Sequence, residues 1–478
     1  MSRSILGVVG VNGLFALTGL CVLWGIRGLR SWLDVLEHLG VALMLGLAAV
    51  TVLATLWLIG GQHLTVWVVL VLCAVVAAPA VQLGLVRRRT LPRALGDLPR
   101  LSSAATLSAL ALFALAAAFL GALYLVARVN SFITEDSFVF WIPKAQAIYY
   151  FGGLDEQLFR TLHGSSYPIL LPTLDAIDFR FMGSADVPNL ALQSWFLLVG
   201  CLTSMAALLR PLVRPWLLWL FVVFAAVLPN LDYRLYLGEA DWTVDIFFVL
   251  AALFLVRWVA MRERWLLAGY GVLLAATFAA KREGALFVVC LVGGALVATA
   301  PGRRRWLPIL AVTAGAYATS IPWHVWWSSR HLQPDLPAGW RENLVSNLSR
   351  IRPAYAVVFR LLFTYDFWLV AVPVALVAAV LGLTLAGRVR ETAVLYLATM
   401  VLGVNGLMWI VWSEPTVSLD THNSTTPIPR AVGSLVLLSA VLAPLLLDPL
   451  LSRRRPAAKT PRRPRRPASS RLAEVEKH

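Results

Sequence analysis

The chain has 478 residues, of which 59% are apolar and only 14% charged, and its mean hydropathy is +0.76. A soluble domain carries roughly 25% charged residues, so composition excludes a soluble enzyme or a nucleic-acid-binding protein and makes lipid the expected solvent. The net charge of +16 does not argue for nucleic acid, because the Pro- and Arg-rich tail 453–478 alone contributes ten cations and two anions. That tail is too poor in apolar residues to fold, and its expected partner is the anionic headgroup layer beside it.

In chain order, apolar stretches of near-crossing length recur. About thirteen spans are expected: 5–26, 38–60, 65–86, 104–126, 189–209, 216–229, 242–257, 266–280, 285–300, 307–327, 367–386, 393–412 and 431–451. The first lacks a small-x-small cleavage pattern and reads as a retained helix. Fold class is therefore all-α, with 1–103 an appended bundle of three spans, 104–451 the main membrane core and 452–478 a basic tail. Lys and Arg collect at Arg27–Arg30, Arg87–Arg100, Arg210–Arg214, Arg257–Arg264, Arg303–Arg305, Arg388–Arg390 and from Arg453 onward. Cations in short connectors stay in the cytoplasm. The expected topology in the plasma membrane thus has the N-terminus outside and the C-terminus inside.

The connectors assigned to the outer side, 127–188, 230–241, 328–366 and 413–430, are larger and chemically richer. In the first, Phe138, Trp141, Ile142, Ala145, Ile148 and Tyr149 follow helical spacing up to Gly152-Gly153, as expected of an amphipathic helix on the membrane surface. A second such helix is expected over Ala354–Phe363, with Arg352 and Arg360 near the interface. The four cysteines, Cys21, Cys73, Cys201 and Cys290, lie in apolar stretches and predict neither disulfide nor zinc site.

Ionisable groups cluster at span ends on the outer side, which suits an enzyme acting on a lipid-anchored substrate better than a transport path. Glu135-Asp136 follows the fourth span. A carboxylate there is placed to act as general base, and equally Asp136 or Ser137 is placed to cap the helix that follows. Glu239-Ala240-Asp241 opens the seventh span; Asp241 would support the base or cap its own helix. Lys281-Arg282-Glu283-Gly284 puts cations on the cation-poor side, where they would hold a phosphate or reach headgroups. Arg430, after Glu414 and Asp420, offers a planar fork for phosphate. Lys144 would meet either a headgroup or a substrate. His163 and His422 have no neighbours at metal-ligand spacing, so no metal or other cofactor is expected. Asn347 and Asn423 begin glycosylation acceptor patterns.

The order of these elements resembles the GT-C superfamily of polytopic glycosyltransferases, in particular the bacterial, family 39 relatives of protein O-mannosyltransferase. The resemblance rests on Glu135-Asp136, on Lys144-Ala145-Gln146-Ala147 with Gly152-Gly153, on Tyr167 to Pro172, on Ala240-Asp241 and on Lys281 to Gly284, and runs from about Ala104 to Leu451. It implies an inverting transfer of a sugar from a polyprenyl-phosphate donor to a lipid, glycan or protein acceptor outside the cytoplasm. Asp136 or Glu135 would be the base and Asp241 its support. Lys281, Arg282 and Arg430 would surround the donor phosphate, and Lys144, Glu239 and Tyr167 would contact substrate. Two departures stand out: many members carry Asp-Glu where this chain has Glu-Asp, and three leading spans lie outside the minimal plan. A transporter or lipid flippase is the alternative, and an enzyme that joins glycan chains is a third.

Overall fold

In lipid a backbone N–H or C=O has no water to bind, so a spanning segment must close its hydrogen bonds within itself as a helix. The computed structural model, which describes residues 3–92, 94–96, 104–130, 132–162, 164–300, 305–332, 346–413 and 427–452, accordingly has no strand among those residues. The leading helices are α1 (Arg3–Ile26), the short α2 (Trp32–Glu37), α3 (Leu39–Ile59), α4 (Val66–Val86) and α5 (Ala104–Ala127). After a π-helical turn at Ser137–Trp141 come α6 (Ile142–Phe151), α7 (Glu156–Thr161) and α8 (Leu170–Met182). The middle of the chain forms α9 (Ala191–Leu209), α10 (Pro215–Ala226), α11 (Pro229–Arg234), α12 (Ala240–Met261), α13 (Arg264–Ala280) and α14 (Arg282–Ala298). The rest is α15 (Trp306–Ala318), α16 (Ile321–Ser329), α17 (Ile351–Leu362), α18 (Tyr365–Trp368), α19 (Ala371–Leu383), α20 (Arg388–Ser413) and α21 (Pro427–Ser452).

Eight helices are long and apolar enough to cross a membrane: α1, α3, α4, α5, α9 with the turn before it, α12, α20 and α21. On these the chain is read as membrane-embedded. Three further apolar helices, α10, α13 and α19, have 12, 17 and 13 residues. At 1.5 Å per residue they fall short of a hydrocarbon layer of about 30 Å. Length and composition therefore support eight crossings, fewer than the thirteen expected. The stretch 307–327, expected as one span, is two helices. Pro322 near the start of α16 cannot donate backward, and the hydroxyls of Thr319 and Ser320 donate to the carbonyls of Ala316 and Tyr317, each at 2.7 Å.

α12 forms the centre, buried along nearly its whole length and packed on α13, α9 and α21. α5 is mostly exposed although apolar all round, as a lipid-facing helix is. Glycines let α1 approach α3: a Cβ on Gly19 would lie 1.8 Å from the carbonyl oxygen of Ala42, and one on Gly46 1.9 Å from that of Phe15. The N-terminal helices are not set apart from the core. α1 packs on α8, α3 packs on α9 and α13, and Asn12 donates to Gln193 at 2.6 Å.

The basic connectors gather at one end through ion pairs, Arg27 with Asp34 at 2.9 Å, Arg214 with Asp448 at 2.6 Å, Arg305 with Glu391 at 2.9 Å, and Arg210 with Glu37. α12 runs from Ala240 at the opposite end to Met261 here, about 33 Å by its rise. The connector 127–188, expected as an outer loop with one surface helix, is mostly helical. Its α8 is buried at eleven of thirteen positions. α6 matches the expected surface helix in position and ends at Gly152, whose φ of +80° is open to glycine. Its Ile142, Lys144, Ala145 and Ile148 are buried rather than resting on a headgroup layer. α17 covers the second expected amphipathic helix, burying Ala354, Val358, Leu361 and Leu362.

Candidate functional site

The end of the bundle opposite the basic connectors is built from five separate stretches. The strand-like segment after α5 is tied to the one before α12: Ile133 N–H donates to the Tyr236 carbonyl at 3.0 Å, and the Thr134 hydroxyl to the Leu237 carbonyl at 2.7 Å. Gly238 closes this junction at φ +62°, where a Cβ would strike the Phe132 ring at 2.6 Å. Two acidic motifs a hundred residues apart thereby become neighbours.

Asp136 does not cap the following helix. Its own backbone is helical, and its side chain makes no capping bond; the Ser137 N–H turns to Thr134 Oγ1 instead. The carboxylate goes to Arg430, with Oδ2 2.5 Å from Nη1, while Oδ1 carries no hydrogen bond among the described residues. Glu239, at the N-cap position of α12, places Oε2 2.5 Å from the same Nη1. Glu135 is exposed and has no ion pair among the described residues. Of the two acids in the motif, the structure brings Asp136 into the cluster.

Asp241 does not cap α12 either. Both its oxygens accept from Lys281 Nζ at 2.9 Å, and Glu283 adds an ion pair at 3.4 Å. Lys281 sits in extended backbone between α13 and α14, 9% exposed, so it does not reach out to headgroups. Burial works to lower its pKa, yet Asp241 and then Glu283 outweigh it and hold the ammonium charged. At Glu239 burial dominates and, with Asp241 adding, raises the pKa against the pull of Arg430.

Arg282 donates to the Ser166 hydroxyl and lies over the Tyr167 ring at 5.2 Å. Tyr167 in turn meets Trp141 edge-on at 5.9 Å. Lys144, buried rather than at the headgroups, donates to the Gly164 carbonyl and sits 5.4 Å from the Trp141 ring, fixing the turn that carries Ser166 and Tyr167. Nearly all the residues expected at the site therefore share this end of the fold. His163, Glu414, Asp420, His422 and Asn423 lie outside the described residues.

Sequence reasoning passed over the support beneath Arg430. Arg234, at the end of α11, is 1% exposed and pairs with Asp245 of α12, which also accepts from the Ser434 hydroxyl. The same guanidinium donates to the carbonyls of Pro429, at 3.1 Å, and Arg430, and rests over the Trp368 ring at 5.5 Å. Its one legible sign was a lone cation in the connector 230–241. Also missed was α8 behind the site, whose Asp175 borders a cleft with Glu239, Gln193 and Thr243. The cleft offers about 10 Å³ to a water's centre, the room of one molecule. α8 is not among the crossing helices; burial pushes Asp175 up to about 8 and Asp178, both of whose oxygens lack a hydrogen-bond partner, well above its ordinary value.

Chemically the end offers a half-exposed carboxylate oriented by a guanidinium, with an ammonium and a second guanidinium beside it. Among the described residues, the acids and imidazole close enough to hold a metal are Asp34, Glu37 and His38, at the opposite end. There Arg27 and Arg210 already pair with the two carboxylates. Comparison with family models, curated proteins and solved structures finds no match.

Proposed function

We propose that the chain is a membrane glycosyltransferase that moves a sugar from a polyprenyl-phosphate donor to a lipid, glycan or protein acceptor. Asp136 is the general base, Glu239 and Asp241 organise the cations, and Arg430, Lys281 and Arg282 face the donor phosphate. The observation that carries this reading is the sharing of Arg430 by Asp136 and Glu239 beside the Lys281–Asp241 pair. A base and phosphate-binding cations from separate stretches meet at one end of a membrane bundle. Attack on the anomeric carbon breaks the acceptor O–H bond, with the proton passing to the carboxylate as the sugar–phosphate bond breaks. Charge then grows on the departing phosphate, where nearby cations act most strongly. The positive-inside rule puts the basic connectors in the cytoplasm and this site outside; the shorter α10, α13, α14 and α19 and the α15–α16 pair then serve as further, partial crossings.

The deciding experiment is transfer from a synthetic polyprenyl-phosphate sugar by the purified protein in liposomes, with Asp136→Asn as control. Donor-dependent product with wild type and none with the variant is expected; equal product from both rejects Asp136 as base. The second reading, a transporter or lipid flippase, is favoured by the buried Asp175 and Asp178. It predicts movement of labelled lipid across the bilayer in the absence of an acceptor.

A further inference from the structure

At the cation-rich end a second polar cluster surrounds Trp265, the second residue of α13. The guanidinium carbon of Arg27, just past α1, lies 5.6 Å from the indole ring centre, and that of Arg257 in α12 lies 5.5 Å from it. His38 meets the same indole edge-on at 6.5 Å. Most of these groups are satisfied. Arg27 pairs with Asp34 at 2.9 Å, the indole N–H donates to Glu263, and His38 Nδ1 donates to the Asp34 carbonyl at 3.0 Å.

Two nitrogens, one of Arg257 and one of His38, are the exceptions. Arg257 is 6% exposed, its Nε reaches only the Met261 sulfur at 3.4 Å, and its Nη1 has no partner among the described residues. Glu263, turned to Trp265, forms no ion pair with it. His38 Nε2 is likewise buried and unpartnered; with Nδ1 donating, it is an acceptor. A guanidinium nitrogen withdrawn from water without an acceptor is unfavourable, and an anion in reach removes that cost. Burial, then Arg27 and with it Arg257, outweigh the carbonyl and the carboxylate of Asp34, the latter 3.1 Å from Nδ1, and hold His38 down at about 4. Arg27 is 20% exposed, so the cluster opens on its side.

We propose that Arg257, Arg27 and His38 form a binding site for the phosphate headgroup of an anionic lipid, on the face of the bundle opposite the candidate transferase site. The guanidiniums supply charge-assisted hydrogen bonds to phosphate oxygens, and His38 Nε2 accepts from a headgroup hydroxyl. The site lies at the end of a crossing helix, the depth at which headgroups sit. It does not depend on the transferase reading.

The test uses the full chain in neutral detergent, with phosphatidylglycerol, phosphatidylcholine or inorganic phosphate added, and compares wild type with Arg257→Met. Both keep the basic tail, so binding there cancels. Phosphatidylglycerol should raise the wild-type thermal midpoint by about 5 °C, phosphatidylcholine should not, and native mass spectrometry should show at least about tenfold weaker retention by the variant. A response to inorganic phosphate that the variant lacks shows that phosphate alone suffices; a response to phosphatidylglycerol alone makes the lipid the source. The same phosphatidylglycerol response in both proteins overturns the site. If Arg257→Met does not fold, Arg27→Gln on the open side serves, with a loss of about threefold expected.

Discussion

Asp136 and Glu239 each lie 2.5 Å from the same nitrogen of Arg430, so their oxygens are at most twice that distance apart although the residues come from different connectors. One cation thus fixes two carboxylates of unlike exposure, the first half-open and the second buried.

The open one is the expected base. Asp136→Asn should lower transfer by about a hundredfold or more, the usual range for a general base, while the thermal midpoint stays close to wild type. Glu135→Gln, altering an exposed acid outside the cluster, should keep most of the activity. Initial rates of transfer in liposomes check both.

The buried one predicts a pH dependence of stability. Glu239 has a folded-state pKa above its unfolded value, raised first by burial. Its contribution is therefore full below the ordinary carboxylate range and is lost as pH rises through the folded value. Glu239→Gln, neutral throughout, should match wild type near about pH 4 and exceed it by a growing margin toward about pH 8. Thermal midpoints across that range measure it, and a margin that shrinks with rising pH contradicts the assignment.

Beneath them, Arg234→Met should cost about 3–5 kcal/mol, because it strands Asp245 as an unpaired buried charge. Adding Asp245→Leu should recover most of that loss. The recovered protein should still transfer slowly, since the carbonyls of Pro429 and Arg430 have lost their donor. Denaturation midpoints set beside turnover separate the two effects.

At the contact of α1 with α3, Gly19→Val should abolish stable expression, because no side chain fits where a Cβ would lie 1.8 Å from a backbone oxygen. Gly13→Val, at a position with nothing within 4 Å of a Cβ, is the matched control and should express normally.

The long helices were legible because lipid imposes both their length and their apolarity, and the boundaries of α3, α4 and α5 fall within a residue or so of expectation. α8 was not legible: Asp175 and Asp178 gave it the composition of a connector, and only the surrounding helices account for its burial. The break at Thr319-Ser320 turned on two hydroxyls and one proline inside an otherwise continuous apolar run. For the site, residue types and chain order marked Asp136, Asp241, Lys281 and Arg430 as candidates. Whether Asp136 capped a helix or faced a cation depended on a partner almost three hundred residues away, which local spacing does not encode. Arg234 was missed for the same reason, as its partners lie in α12 and α21.

The packing of α1 on α8 and of α3 on α13 gives the first hundred residues a keystone's position. A polypeptide started at Ala104 would bare to the bilayer the faces of α8 and α13 that α1 and α3 now cover. Shortening the protein to 104–478 would thus remove the wall against which the rest of the bundle is assembled.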